Sequence, residues 1–441
     1  MSSKVNITIF LLFCLGMMCP SLADNRIDRQ RPDAPELAAY GQYAIGVRTL
    51  EVVNSQQIDV VNIDVNQTKD AELPLYDRPL TLEIWYPAKL GSQGKATLDA
   101  YIRDGKTQVE LHGKAVRDAL PDESRQALPL VLISHGYPGN RYLLSPLAEN
   151  IASKGYVVVS IDHTDSTYRS KAAFSSTLVN RPVDQLFVLN QIGVLAQDPS
   201  SFLYQRVDTE NTALVGYSMG GYGAVINAGA GLSEQATNNP MFSPAGTLQR
   251  HQMGFNKKVD ARLKTVIAFA PWGMNYQIWS SEALQNVSVP MLLIAGSQDD
   301  VSGYENGVRA IWQGITGVDR ALLTYENANH SAGAPMPAPQ EAYKFDEELG
   351  FNVSEHYIDA VWDNVRMNNI AQHFVTVWLN RYLKNDVAME KYLQLVPDSN
   401  AGNWAKDGAG QTKPEHSYWH GFARRTAKGL RFERLAKQTE N

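Results

Sequence analysis

A mainly parallel α/β sheet covered by helices on both faces is the fold class this sequence predicts. Two observations predict it. Between about residues 80 and 330, apolar strand-like runs alternate with helical patterns, and repeated strand–helix units build parallel sheets with right-handed crossovers. Within that stretch, Gly216-Tyr217-Ser218-Met219-Gly220 stands between the apolar run Thr212-Ala213-Leu214-Val215 and the small-residue opening of a helix, Gly221-Tyr222-Gly223-Ala224-Val225-Ile226. That order is a strand, a sharp turn that exposes a serine, and a helix.

The elements follow in chain order. Residues 1–23 read as a cleaved signal peptide: Lys4 supplies a positive start, Ile7 to Met18 is apolar, and Ser21-Leu22-Ala23 offers a small-residue cleavage site. Residues 24–80 form an N-terminal extension expected to add edge strands. A catalytic domain is expected over 81–384. It begins with the alternating strand Thr81 to Pro87, then Leu128 to Ser134, continuously apolar as in a strand buried on both faces. Leu143 to Lys154 reads as a helix stopped by Gly155, Tyr156 to Ile161 as a second buried strand, and Asp184 to Gln197 as a helix. After the serine helix, residues 229–262 form an insertion rich in Asn, Ser, Pro and Gln, which fits either a lid over a pocket or a surface excursion. Thr265 to Ala270, Met291 to Ala295 and Ala321 to Tyr325 are three further strands, and Ala360 to Leu383 is an amphipathic helix. Residues 385–441 form a C-terminal extension packed on the domain. Its basic residues Arg424, Arg425, Lys428, Arg431, Arg434 and Lys437 alternate with Leu430, Phe432 and Leu435, and this pattern is read as a docked helix with a solvated face.

Composition narrows the function. The 441 residues carry a formal net charge of −6, which argues against a nucleic-acid partner. Both cysteines, Cys14 and Cys19, lie in the signal segment, so the remainder has no disulfide, thiol nucleophile or thiolate metal site. No dinucleotide fingerprint or phosphate loop appears, so no organic cofactor and no metal is implied. No stable membrane anchor is expected, and the protein is expected to be secreted or periplasmic.

Serine at neutral pH is a poor nucleophile and requires a base, which an acid must orient. In a sheet of this kind, working groups sit in loops after strand C-termini. Nine histidines exist, and His330 closes Glu326-Asn327-Ala328-Asn329-His330 directly after the last apolar strand, which makes it the expected base. His356 stands in reserve. The acid is expected after the preceding strand, where Asp299 and Asp300 are adjacent; Asp299, three residues after Gly296, is preferred. Oxyanion donors are expected at the Met219 N–H, just after the nucleophile, and at the Tyr137 N–H in His135-Gly136-Tyr137-Pro138-Gly139. Trp272, in Ala270-Pro271-Trp272-Gly273, is a candidate for lining the substrate pocket. Asp162-His163-Thr164-Asp165 follows a strand and reads as a hydrogen-bonded brace rather than a metal site.

Together these residues resemble the α/β-hydrolase superfamily. Ile84-Trp85-Tyr86-Pro87-Ala88, His135-Gly136 with Gly139 and Arg141, Lys154 to Val158 running into Asp162-His163, and Gly216 to Gly221 are similar to its secreted branch, which joins dienelactone-hydrolase-like proteins to platelet-activating-factor acetylhydrolase-like proteins. The resemblance spans roughly residues 46 to 383. It implies an α/β-hydrolase fold and a carboxylic ester hydrolase acting on a small-molecule, lipid or polymeric ester. Ser218 would be the nucleophile, Asp299 the acid, His330 the base, and Tyr137 and Met219 the oxyanion donors. Dienelactone hydrolases proper use a cysteine where this chain has Ser218, which favours ordinary ester chemistry. An amide or peptide hydrolase on the same triad, or a non-catalytic binding protein on the same fold, are the alternatives.

Overall fold

A computed structural model describes residues 24–437 except 65–66, 68–71, 124–125 and 255–257. The expected signal peptide, residues 1–23, therefore lies outside the described residues. Ten strands make the central sheet: β1 (Ala44–Ile58), β2 (Leu75–Ala88), β3 (Val116–Arg117), β4 (Leu128–Ser134), β5 (Val157–Asp162), β6 (Val207–Tyr217), β7 (Leu263–Phe269), β8 (Met291–Gly296), β9 (Arg320–Tyr325) and β10 (Leu430–Leu435). Their order across the sheet is β10-β9-β8-β7-β6-β4-β5-β2-β1-β3. From β9 to β5 every neighbouring pair is parallel. On one flank β2 runs antiparallel to β5 and to β1; on the other, β10 runs antiparallel to β9.

The continuous apolar runs have a direct physical origin: each central strand buries both faces. Val131, Ile133, Val158, Val215, Ile267, Phe269, Ile294 and Leu323 belong to one core, with helices α1 (Ser145–Ala152) and α4 (Asn364–Leu383) packed on it. Their alternates Leu130, Leu132, Val159, Leu214, Val266, Ala268, Leu293 and Leu322 belong to the other, under α2 (Phe174–Leu195) and α3 (Met219–Asn227). The period of two along each strand thus feeds two cores at once. Among the described residues, no helix is long and apolar enough to cross a membrane.

Two expectations are corrected here. The helix read from Asp184 begins ten residues earlier, at Phe174, and carries Pro182 inside it. Proline removes the hydrogen bond to the carbonyl four residues back, and that carbonyl, of Leu178, instead accepts the Tyr222 hydroxyl at 3.1 Å. The tail, read as a helix, is the strand β10. Leu430 and Phe432 are buried, while the alternate residues Arg431 and Glu433 pair with Glu326 and Arg309 on the other face. That period of two matches a sheet edge, and β9 offered an unpaired edge to fill.

Candidate active site

Four loops at the C-terminal ends of neighbouring parallel strands converge. Ser218 follows β6 and has φ +53° and ψ −111°. A non-glycine residue held there stores about 1–3 kcal/mol of strain. The surroundings enforce it. The Ser218 N–H donates to the Phe269 carbonyl at 2.8 Å, and its own carbonyl accepts the N–H groups of Tyr222 at 3.0 Å and Trp272 at 3.1 Å. Side chains at the flanking glycines would collide with backbone: a Cβ at Gly216 would stand 2.3 Å from the Gly220 carbonyl oxygen, and one at Gly220 would stand 2.0 Å from that of Ser134. Strand and helix pass this closely only without side chains.

His330 lies in the loop after β9 and Asp299 in the loop after β8. The imidazole Nδ1 is 3.0 Å from both Asp299 oxygens. Asp299 is 5% exposed, and its Oδ1 also accepts the N–H groups of Val301 at 3.0 Å and Ser302 at 2.8 Å. A carboxylate held this way keeps the proton on Nδ1 and leaves Nε2 free to accept. Asp300 is exposed, and its N–H donates to the Asn329 side chain at 3.1 Å. The structure therefore brings Asp299, not Asp300, to His330.

Ser218, His330, Gly136 and Tyr137 line one cavity of about 650 Å³. The loop after β4 runs close to Ser218: a Cβ added at Gly136 would lie 3.4 Å from the Ser218 Cβ. Met219 opens α3, so its N–H is one of the unpaired donors of a helix N-terminus.

Other expected residues fall elsewhere. His356 lines the same cavity, but its Nε2 meets the Tyr168 hydroxyl at 2.8 Å. Burial, then Arg103, hold it neutral with a pKa lowered to about 3. Trp272 does not line the Ser218 cavity. Its backbone is tied to Ser218, which turns the indole onto Tyr276, stacked at 4.9 Å, and against Phe174, edge-on at 5.1 Å. Phe174 in turn meets the Tyr137 ring at 5.1 Å, so Trp272 stands one aromatic row behind the cavity. Gly229, Gly231, His251 to Gly254, Lys258 and Val259 of the 229–262 insertion line a separate cavity of about 790 Å³ with Asn286 and Ser288. The far wall of the Ser218 cavity comes instead from Arg103 and the segment carrying Phe351, Glu355, His356 and Ile358. Apart from His356, no periodicity or motif marks those residues in the sequence. Arg103 lies across the Phe351 ring at 5.6 Å.

A protein-family profile described as PET hydrolase-like matches residues 113–241. Cutinase 2 of Thermobifida cellulosilytica is 28% identical over 204 residues, covering 46% of this chain and 60% of the relative. Cutinase cut1 of Thermobifida fusca is 28% identical over the same length, covering 46% of this chain and 49% of the relative. The chain thus spans about half to three fifths of the length of the curated relatives it matches. A solved ferulic acid esterase from Streptomyces cinnamoneus shares the fold, with a TM-score of 0.51 and 21% identity, covering 80% of this chain and 94% of that one. The fold is that of the α/β hydrolases, with a serine on a strained strand-to-helix turn. These similarities support the α/β-hydrolase superfamily for this chain.

Proposed function

We propose that this chain is an exported serine hydrolase of carboxylic esters. One observation carries the reading: His330 is fixed on Asp299 at 3.0 Å and opens onto the same cavity as Ser218. In the proposed reaction the Ser218 Oγ attacks the ester carbonyl carbon, and His330 Nε2 takes the hydroxyl proton. Asp299 stabilises the resulting imidazolium without being protonated itself. The carbonyl oxygen becomes an oxyanion between the Tyr137 and Met219 N–H groups. Collapse breaks the bond to the alcohol oxygen, which takes the proton from His330. Water then gives a proton to His330 and attacks the acyl carbon; as the bond to Ser218 Oγ breaks, His330 returns that proton to the serine oxygen and the acid is released. Each oxyanion donor contributes about 3 kcal/mol in such sites.

The relatives named cutinases, together with an open cavity bounded by Arg103 and Phe351 rather than by the insertion, support esters presented by polymers or lipids as well as small esters. The dienelactone-hydrolase-like resemblance supports the same bond class, with Ser218 replacing cysteine. Turnover of p-nitrophenyl esters from acetyl to palmitoyl, measured beside Ser218→Ala, tests the reading. Hydrolysis that disappears in the variant fits it; equal rates in both proteins overturn it.

A further inference from the structure

Beneath the loop after β4 lies a buried chain of hydrogen bonds whose proton positions are determined end to end. It starts at an ion pair: Arg78 Nε and Nη2 donate to the Asp184 carboxylate at 2.8 and 2.9 Å. Asp184 Oδ2 lies 2.9 Å from His163 Nδ1, and a carboxylate only accepts, so His163 carries its proton on Nδ1. Burial, then Arg181, push the His163 pKa well below its ordinary value, so the ring is neutral and its Nε2 accepts the Ser134 hydroxyl at 2.8 Å. With the ring fixed on both sides, the backbone N–H of His163 donates to His135 Nε2 at 3.2 Å. Burial, then Arg181, then His163 push the His135 pKa well below its ordinary value, so the ring is neutral. A neutral ring accepting at Nε2 must hold its proton on Nδ1. That nitrogen lies 2.7 Å from the Gly136 carbonyl oxygen, to which it donates.

The Gly136 carbonyl and the Tyr137 N–H are the two ends of one peptide unit, and the unit is planar. Fixing the carbonyl fixes the direction of the N–H, and a hydrogen bond to the carbonyl also polarises the N–H. We propose that His135 is a positioning residue for the oxyanion site: its Nδ1–H holds the Gly136–Tyr137 peptide so that the Tyr137 N–H faces the Ser218 cavity. Arg181 secures the preceding peptide, donating to the His135 carbonyl and, at 2.6 Å, to Ser166 Oγ. The fit around the ring is close, since a Cβ added at Gly139 would stand 2.6 Å from His135 Nδ1. This inference rests on the reading of Tyr137 as an oxyanion donor.

The two histidine nitrogens can be separated by amide substitution. His135→Asn places an N–H donor near the Nδ1 position; His135→Gln places its amide near Nε2 and leaves the Gly136 carbonyl only the long 3.5 Å contact from Arg181 Nη2. On a p-nitrophenyl ester, His135→Gln should lose kcat by roughly tenfold to a hundredfold with KM nearly unchanged, less than the 10²–10³ of deleting a donor outright. His135→Asn should recover most of that loss. A ring that only fills space predicts the reverse order, because Gln is closer in volume, and that order, or a loss confined to KM, overturns the proposal. The tautomer is read independently by nitrogen NMR on wild-type protein labelled in histidine. Protonation of His135 on Nδ1 is expected, and protonation on Nε2 overturns the proposal even where the variants fail to fold. Ser218→Ala run in parallel separates the two readings: hydrolysis that survives it removes the oxyanion site itself, whereas the tautomer result bears on His135 alone.

Discussion

Asp299 and His330 are joined through both carboxylate oxygens, each 3.0 Å from the imidazole Nδ1, while two backbone N–H groups hold the Asp299 Oδ1 from behind. The carboxylate cannot rotate without losing these donors. Asp299→Asn would present an amide where the histidine needs an acceptor and would favour the wrong tautomer. Such a change is expected to lower kcat by about ten-thousand-fold, while Asp300→Asn stays within about tenfold of wild type. Steady-state kinetics on p-nitrophenyl butyrate distinguish them, and a comparable loss in Asp300→Asn would reassign the acid.

The turn around Ser218 depends on missing side chains. Gly220→Ala would drive a Cβ to 2.0 Å from the Ser134 carbonyl oxygen, part of the backbone of β4 that cannot give way. The expected cost is at the upper end of overpacking, about 3 kcal/mol or more. Denaturant unfolding measures it; a midpoint equal to wild type would contradict the packing described.

Stability should depend on pH through Glu149. This residue of α1 is fully buried, and its carboxylate accepts the N–H groups of Lys114 and Ala115 at 2.8 and 3.0 Å. Burial raises its pKa from 4.5 to about 7, the two N–H groups acting in the opposite direction. Between those values the folded protein keeps a proton that the unfolded chain has released. The Glu149 contribution to stability is therefore greatest below pH 4.5 and is lost as pH rises towards 7. A displacement of that size corresponds to on the order of 3 kcal/mol. The difference in unfolding free energy between wild type and Glu149→Gln should fall from pH 5 to pH 7; a flat difference contradicts the assignment.

The tail strand carries weight in the core. Phe432 is 2% exposed and stacks on Phe374 of α4 at 5.1 Å, and β10 pairs with β9, whose end leads to His330. Phe432→Ala is expected to cost about 3–5 kcal/mol, read as a lower calorimetric Tm. A change below 1 kcal/mol, on the order of a surface substitution, would mean that β10 is only loosely attached.

The legible parts of the sequence were those where local pattern and tertiary role coincide. Strands β4, β5, β7, β8 and β9 are buried on both faces, so their apolar runs could be little else, and Ser218, Asp299 and His330 each follow one of the sheet strands. The tail reads ambiguously because Leu430 and Phe432 stand two apart, as in a strand, while Phe432 and Leu435 stand three apart, as on a helix; only the open edge of β9 decides. The start of α2 was missed because Pro182 reads as a breaker until Tyr222, distant in sequence, takes over the freed Leu178 carbonyl. Arg103 and Phe351 meet across the cavity from segments almost 250 residues apart, a juxtaposition no local signal encodes. Trp272 was correctly placed after a strand, yet its side-chain direction depends on the Trp272–Ser218 backbone hydrogen bond.

The proposed chemistry requires an activated serine at position 218. Intact-protein mass spectrometry after exposure to a fluorophosphonate, followed by peptide mapping, tests it most directly. One adduct per chain is expected, located on Ser218, absent in Ser218→Ala and formed far more slowly in His330→Ala. An adduct elsewhere, or labelling at an unchanged rate without His330, would contradict it.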